Sequence, residues 1–197
     1  MRLIGTHWFN RDDRTFLDKY SSLLAAGAEA IVLVSNANEA PILLKEVAQL
    51  PQAKRLPIYS HWGVAGGDLA GMAGPALQEV EFYVVQTFTF VDNTSEKAAQ
   101  VLRAAQRLFH LTEPQYLPAQ VGLAHAYDLT HILALAINQA GSTNRAVIRD
   151  ALERVGLYNG LIRHYQQPFS ATRHDALTEQ EVFVARYVKG AALAPVP

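Results

Sequence analysis

Residues 25–50 read AAGAEAIVLVSNANEAPILLKEVAQL, and this stretch decides the fold. Its centre, residues 30–34, is a short apolar run rich in β-branched side chains, which predicts a strand buried on both faces. The polar loop 35–38 follows, and a helical pattern then runs as far as Pro51. A second helical pattern precedes the strand and ends at Gly27. The stretch therefore predicts a helix–strand–helix unit of an α/β protein.

The same alternation continues on both sides of this unit. Strand patterns cover residues 2–9, 56–60 and 81–88, and a short helix is expected from Gly66-Gly67-Asp68 to about Ala73. Strands that alternate with helices indicate parallel βαβ units. We therefore expect the α/β class, with a Rossmann-like parallel sheet and helices on both faces.

The second half of the chain is mainly helical. Helices are predicted at about 95–110 and 118–140, and the second is apolar nearly all round, a pattern typical of a buried helix. A further helix is expected to start at Gly141-Ser142-Thr143 and to end near Val155. The tail, 160–189, combines turns with a strand pattern at 182–188.

Composition excludes several classes of function. The 197 residues are 50% hydrophobic and 18% charged, with a net charge of −1, which disfavours disorder and a nucleic-acid partner. The chain has no cysteine, so disulfides, thiolate catalysis and cysteine-bound zinc are excluded. No apolar run is long enough to cross a bilayer, and we expect no signal peptide in this chain. No cofactor is predicted.

Topology alone points to a candidate site. In parallel sheets, ligands bind at the carboxyl ends of the strands. Two loops are expected there, residues 35–39 and residues 60–67.

Three segments in this order resemble one known family. They are residues 25–50, then LPIYSHWGVAGGD at 56–68, then AHAYDLTHILALAINQAGSTNRAVIRDALE at 124–153. Together with the tail that ends at Lys189-Gly190, they resemble the C-terminal half of type I periplasmic solute-binding proteins, the leucine/isoleucine/valine-binding-like proteins of branched-chain amino-acid ABC importers.

This resemblance implies an incomplete two-lobed fold. Residues 1–85 would belong to the second lobe, 86–155 to the first lobe, and 156–197 would return to the second. Most of the first lobe would be absent, so the chain is expected to be a C-terminal fragment that holds part of a binding site. It would need the missing N-terminal half, or self-association, to cover its apolar surface.

The resemblance also suggests which residues bind a ligand. Asn36 falls where amino-acid-binding members place an aromatic contact, and Trp62 replaces the carboxylate that pairs with the ligand's ammonium group. An aromatic acid, another organic acid or an amide would therefore suit the site better than an α-amino acid. The predicted ligand-binding residues are Ser35, Asn36, Ser60, His61, Trp62, Trp8 and Asn10.

Each of these residues also has a structural interpretation. Trp62 could be a core aromatic, His61 a helix cap, and Asn36, like Asn38, a turn or N-cap residue. Asp68 is best explained as an N-cap, and Glu39 as a residue of the first helical turn.

Catalytic and metal chemistry are disfavoured. Ser60 and His61 are neighbours on a strand and point to opposite faces, and the sequence contains no G-x-S-x-G elbow. His125, Asp128 and His131 share helical spacing, but Asp128 is better explained by structural hydrogen bonds. We therefore expect no enzyme and no metal site.

The predicted function is binding of a small solute for an ABC importer, with the importer's membrane subunits as partners and the periplasm as the location. The resemblance implies a mechanism of lobe closure around the solute. Two alternatives remain open: a ligand-sensing module of a receptor or regulator, and a truncated remnant that binds nothing.

Overall fold

The computed structural model describes residues 2–111, 113, 117, 119–188 and 192–196. These residues form two compact units. Unit 1 falls within residues 1–86, 115–119 and 184–197, and unit 2 falls within 87–114 and 120–183. The assignment of 1–85, 86–155 and 156–197 to the lobes of a longer protein stays a prediction.

Unit 1 is built on a five-stranded sheet with the order β1-β2-β3-β6-β7. Strands β1 (Ile31–Leu33), β2 (Ile58–Ser60) and β3 (Phe82–Gln86) are parallel. Strands β6 (Phe183–Tyr187) and β7 (Leu193–Pro195) form an antiparallel pair. The predicted α/β class, with a parallel sheet flanked by helices, is confirmed.

Four helices accompany the first three strands. They are α1 (Leu17–Ala25), α2 (Ala40–Ala48), α3 (Leu69–Ala73) and α4 (Ala76–Glu79). Gly27, with φ of 86°, follows α1, and Pro41 lies in the first turn of α2. Gly27 agrees with the predicted end of the first helix, because glycine tolerates positive φ. Proline suits the start of a helix, where its missing N–H group is not needed.

The prediction that residues 30–34 are buried on both faces is wrong. Burial alternates along residues 31–34: Ile31 and Leu33 are buried, whereas Val32 and Val34 are each 70% exposed. A continuous apolar run requires cover on both sides, and the described residues bury only one side of this strand.

The strand predicted at residues 2–9 is also absent. These residues have no regular secondary structure, and 2–8 are exposed. Phe9 packs its ring against Phe16, with ring centroids 4.9 Å apart, just before α1. An extended segment becomes a strand only where a neighbouring strand pairs with it, and the ordered sheet ends at β1.

The described part of unit 2 contains three α-helices and a short hairpin. The helices are α5 (Glu96–Phe109), α6 (Gln120–Ala140) and α7 (Arg145–Leu152). Strands β4 (Tyr158–Asn159) and β5 (His164–Tyr165) pair in antiparallel fashion. Asn144 caps α7 by accepting hydrogen bonds from two backbone N–H groups, so the cap lies just beyond the predicted Gly141–Thr143 signal. The predicted start of α6 at Pro118 and the tail end Lys189-Gly190 lie outside the described residues.

Helix α6 is not buried all round, contrary to the sequence prediction. Its buried side carries Val121, Ala124, Asp128, Ile132 and Ala136. On other sides Leu129, Leu133 and Leu135 are more than 40% exposed. Apolar composition predicts that a helix needs cover, but the described residues supply that cover on one side only.

Asp128 is the buried polar centre of unit 2. Its carboxylate accepts hydrogen bonds from the backbone N–H groups of Leu161 and Ile162, at 2.5 and 2.9 Å, and from the Tyr165 hydroxyl at 2.9 Å. Burial, reinforced by this carboxylate, raises the pKa of Tyr165 and of Tyr158, so both phenols remain protonated donors. Asp128 therefore joins α6 to the β4–β5 hairpin, which is the structural role expected for it.

His125 lies one turn before Asp128. Its Nε2 is 2.8 Å from the Thr87 Oγ1. Burial lowers the pKa of His125, and the Asp128 carboxylate opposes this shift only in part.

We expect Asp128→Asn to destabilise the chain by about 3 kcal/mol or more, because the new amide group would face N–H and O–H donors that then lack an acceptor. Urea unfolding followed by circular dichroism measures this. Asp150→Asn is the matched control, since Asp150 is half-exposed and forms its ion pair with the neighbouring Arg149 on α7. Equal stability of the two variants would contradict the role given to Asp128.

We expect the free energy of unfolding to fall as the pH drops through about 6.5, the unfolded pKa of histidine. Because the folded pKa of His125 is lower than the unfolded pKa, the unfolded chain binds the proton first as the pH falls. The stability that His125 contributes is therefore complete above about pH 6.5 and is lost progressively below it. Urea unfolding across this range should show a shallower loss for His125→Gln than for His174→Gln, which changes an exposed side chain. Identical pH profiles would contradict this expectation.

Candidate functional site

Three strand ends converge at one edge of the sheet in unit 1. The register pairs Leu33 with Ser60, and Ser60 with Val84. The segments that continue from β1 and β2 are therefore neighbours, as expected for parallel strands. The two loops also touch, because a Cβ on Gly67 would lie 3.1 Å from the Cβ of Ala37.

Ser35 and Ser60 occupy the buried floor of this edge. The Ser60 hydroxyl donates a hydrogen bond of 2.8 Å to the Leu33 carbonyl, which ties β2 to β1. The Ser35 side chain is only 7% exposed, and its hydroxyl has no hydrogen-bond partner among the residues that the structure describes. A buried hydroxyl without a partner costs free energy, so Ser35 is the unsatisfied polar group of the site.

Asn36 and Glu39 shape the loop after β1. The Glu39 carboxylate is buried and accepts a hydrogen bond of 3.2 Å from the Asn36 backbone N–H. The Asn36 carbonyl accepts from the backbone N–H of Ala40, at the start of α2, at 3.3 Å. The Asn36 side chain remains exposed. Glu39 is thus the N-cap residue just before α2 rather than a residue of its first turn as predicted, and its carboxylate is used within the loop.

His61 and Trp62 form the outer part of the site. The His61 Nδ1 accepts a hydrogen bond of 3.1 Å from the Gly63 backbone N–H, so in the neutral ring the proton lies on Nε2, which is a donor. The indole of Trp62 is 51% exposed and lies edge-on to the His61 ring, with ring centroids 6.2 Å apart. A Cβ on Gly63 would come within 2.3 Å of the His61 Cε1, so the ring fits here only because residue 63 is glycine.

The loop after Trp62 leads into a capped helix. Residues 62–66 form a 3₁₀ turn, and the Asp68 carboxylate accepts a hydrogen bond of 2.9 Å from the Gly71 N–H. The prediction that Asp68 is an N-cap is confirmed. Of residues 60–67, none is acidic, so this loop presents no carboxylate.

Trp8 and Asn10 belong to a different local structure. The Asn10 backbone N–H donates to the Asp13 carboxylate at 3.1 Å, in a turn before α1. That N–H group, together with Lys19, lowers the pKa of Asp13. Trp8 is 88% exposed. The described contacts of this segment run towards α1, and a ligand-binding role for either residue stays a prediction.

Gln86 is a candidate that sequence analysis missed. It ends β3 at the same edge as Ser60, is 2% exposed, and donates from its amide to the Val85 carbonyl at 3.0 Å. The signal was present in the sequence, since Gln86 is a polar residue directly after the apolar run 82–85 of the predicted strand.

The residues considered as metal ligands are engaged elsewhere. The Asp128 carboxylate is occupied by the donors described above, His125 contacts Thr87, and the His131 Nδ1 lies 2.9 Å from the Tyr127 carbonyl oxygen. Within the described part of the chain, no group of three or more His, Cys, Asp or Glu side chains is arranged to hold a metal ion. Among the same residues, no helix is both long and apolar enough to cross a membrane.

Several solved structures are similar to this chain in fold. A periplasmic binding protein type 1 from Bordetella pertussis Tohama I has a TM-score of 0.78 at 21% identity; the match covers 96% of this chain and 51% of that one. A leucine-binding protein from Thermotoga maritima MSB8 has a TM-score of 0.75 at 20% identity, covering 96% and 49%. A solute-binding protein of an ABC transporter from Rhodopseudomonas palustris, in complex with benzoate, has a TM-score of 0.71 at 13% identity, covering 95% and 48%.

The chain spans about half the length of these structures. No curated protein matches it. The profile of the family described as periplasmic binding protein matches residues 15–192, which is most of the sequence. The chain belongs to the periplasmic binding protein family.

Proposed function

We propose that this chain is part of the substrate-binding component of an ABC importer and that it binds a small organic solute at the carboxyl ends of β1 and β2. The family consists of solute-binding proteins, which supports a binding role rather than catalysis. The observation that carries the proposal is the buried Ser35 hydroxyl, which lacks a partner among the described residues and lies where parallel sheets bind ligands.

The chemistry of the two loops favours a carboxylate or carbonyl ligand. Ser35 and His61 Nε2 are hydrogen-bond donors, and the exposed Asn36 amide can add another. The carboxylate of Glu39 is buried and already accepts the Asn36 N–H, so it does not compete for the ligand. The loops 35–39 and 60–67 thus offer three hydrogen-bond donors and no exposed carboxylate, which suits an anionic oxygen of a ligand.

Trp62 favours an aromatic ligand. Its half-exposed indole offers a flat apolar face next to the His61 ring, and such faces stack on planar rings. A ligand ammonium group would find no carboxylate in residues 60–67. We therefore propose an aromatic or other organic acid, such as the benzoate of the Rhodopseudomonas palustris structure, ahead of a branched-chain amino acid such as leucine.

Because the chain spans half the length of its relatives, we propose that it acts together with a further segment equivalent to their other half. Closure of two lobes around the solute would then create the form that the importer's membrane subunits recognise. A periplasmic location is part of the same proposal.

Ligand choice tests the proposal directly. We expect benzoate to bind at least about tenfold more tightly than leucine. The ammonium group of leucine would have no carboxylate partner in the site, whereas benzoate carries no ammonium group. Isothermal titration calorimetry measures both affinities for this chain. The same titrations are run with the whole source protein where its sequence extends beyond residues 1–197. Tighter binding of leucine would contradict the ligand class, and binding of neither would contradict the function.

Ser35→Ala separates a ligand-binding role from a structural one. An unpartnered buried hydroxyl adds no stability, so its removal should leave the free energy of unfolding unchanged or raise it. Benzoate affinity should fall about tenfold or more, because the hydrogen bond to a charged ligand is lost. Ser21→Ala, in an exposed position on α1, is the control. Destabilisation without a loss of affinity would mean that Ser35 is structural.

His61→Ala should weaken benzoate binding by a similar factor, and it removes the ring that packs beside Trp62. His174→Ala, an exposed histidine of unit 2, should leave affinity unchanged. Quenching of Trp62 fluorescence in a Trp8→Phe background gives an independent readout. An unchanged affinity in His61→Ala would remove His61 from the site.

A further inference from the structure

Ala119 has an unusual backbone conformation for an alanine. Its φ is 53°, in the left-handed region, where the Cβ of an L-residue crowds the backbone. Among the described residues, the other non-glycine residues with positive φ are Asp92 and His110. Aspartate tolerates this region well, and His110 ends α5, where a left-handed residue is common. Ala119 has neither explanation, so its neighbours must hold it in this conformation.

The place of Ala119 in the sequence makes this conformation more unusual. Helix α6 begins at the next residue, Gln120. A residue in this position normally has extended backbone, and Ser, Thr, Asp and Asn are preferred because their side chains accept a hydrogen bond from the helix. Alanine cannot accept one. Both the residue type and its φ therefore depart from local preference, and such departures are expected at functional or strained positions.

The backbone N–H group of Ala119 reaches the candidate site. It donates a hydrogen bond of 3.1 Å to the Ala65 carbonyl. Ala65 lies in the 3₁₀ turn at residues 62–66, which we call the Trp62 turn. The last carbonyl groups of such a turn have no partner within it, so the N–H of residue 119 supplies an acceptor's missing donor. Both Ala65 and Ala119 belong to unit 1.

The residues on either side of this contact are anchored. Val64, in the middle of the Trp62 turn, is fully buried, and Leu117 is 7% exposed. After residue 119, the Gln120 Oε1 accepts a hydrogen bond of 2.9 Å from the Phe90 backbone N–H. Leaving positive φ would therefore break the bond to the turn or displace one of these anchored side chains.

We propose that Ala119 is a positioning residue for the ligand site, whose left-handed backbone holds the Trp62 turn in place through the Ala65 carbonyl. This inference deepens the function proposed above and rests on it for the identity of the site. The half-exposed Trp62 indole lies edge-on to the His61 ring, so a turn that shifts would misplace the aromatic face offered to a ligand. By reciprocity, a ligand that orders the turn should protect the Ala119 N–H from exchange.

Hydrogen exchange of the unliganded chain, followed by NMR, tests the bond itself. The Ala119 amide should exchange roughly tenfold or more slowly than an unbonded loop amide. In Ala119→Val, the β-branched side chain disfavours positive φ. We therefore expect the Val64 amide, which donates to the His61 carbonyl at 3.3 Å, to exchange roughly tenfold faster in that variant.

Two variants separate positioning from strain in general. His110→Val places the same side chain at the same φ of 53° but outside unit 1, so the Val64 amide should exchange as in the parent chain. Ala119→Gly allows positive φ without steric cost. It should keep slow exchange in the Trp62 turn, with a urea midpoint equal to or above that of the parent.

The Trp62 side chain gives a second readout. Acrylamide should quench Trp62 fluorescence more strongly in Ala119→Val than in the parent or in His110→Val, all in a Trp8→Phe background and without ligand. Benzoate should bind Ala119→Val about tenfold more weakly than it binds His110→Val.

Three results would overturn the proposal. They are an Ala119 amide in the parent chain that exchanges as fast as an unbonded loop amide, an Ala119→Val variant with parental Val64 exchange and Trp62 quenching, and an equal effect of His110→Val. The first needs no variant, so it decides the matter even where Ala119→Val does not fold. Fast exchange confined to Ala119→Val, in a chain whose parent binds no benzoate, would support the positioning role of Ala119 and contradict the proposed ligand.

Discussion

The parallel register of β1, β2 and β3 is the constraint on which the site depends. Because Leu33, Ser60 and Val84 are in register, the loops that leave the first two strands must start side by side. The hydrogen bond from the Ser60 hydroxyl to the Leu33 carbonyl holds the ends of β1 and β2 together in the floor of the site. Parallel strands are hydrogen-bonded evenly along their length, so the position of each loop is set by the sheet rather than by the loop itself.

Local sequence patterns predicted the helices and strands of the fold well. They predicted poorly which neighbouring elements would pair with them or cover them. Gly27 and Asp68 both mark helix boundaries that the structure confirms, because capping and helix termination depend on a few adjacent residues. The strand expected at residues 2–9 depended on a pairing partner, and no local signal reports whether one is present. The same reason explains why the outer face of β1 and the far side of α6 were wrongly expected to be buried.

The candidate site was predicted at the level of loops rather than of atoms. Strand–helix alternation alone located residues 35–39 and 60–67 at one edge, and the contact between Ala37 and Gly67 agrees with that. The sequence could not show that the Ser35 hydroxyl lacks a partner or that the Gly63 N–H fixes the His61 tautomer. Both depend on backbone positions within ångströms, which residue types do not encode. Gln86 was missed because its position along the strand mattered more than its type.

Two exposed apolar faces among the described residues, one beside β1 and one on α6, differ in the kind of cover that they can take. Val32 and Val34 project from a strand at the edge of a parallel sheet, and such a face is normally covered by the helix of a βα unit. The exposed side of α6, with Leu129, Leu133 and Leu135, is a helix face, and a helix face can pack against a sheet or against another helix. Apolar exposure alone therefore does not identify a partner; the geometry of each face limits the kind of element that can cover it.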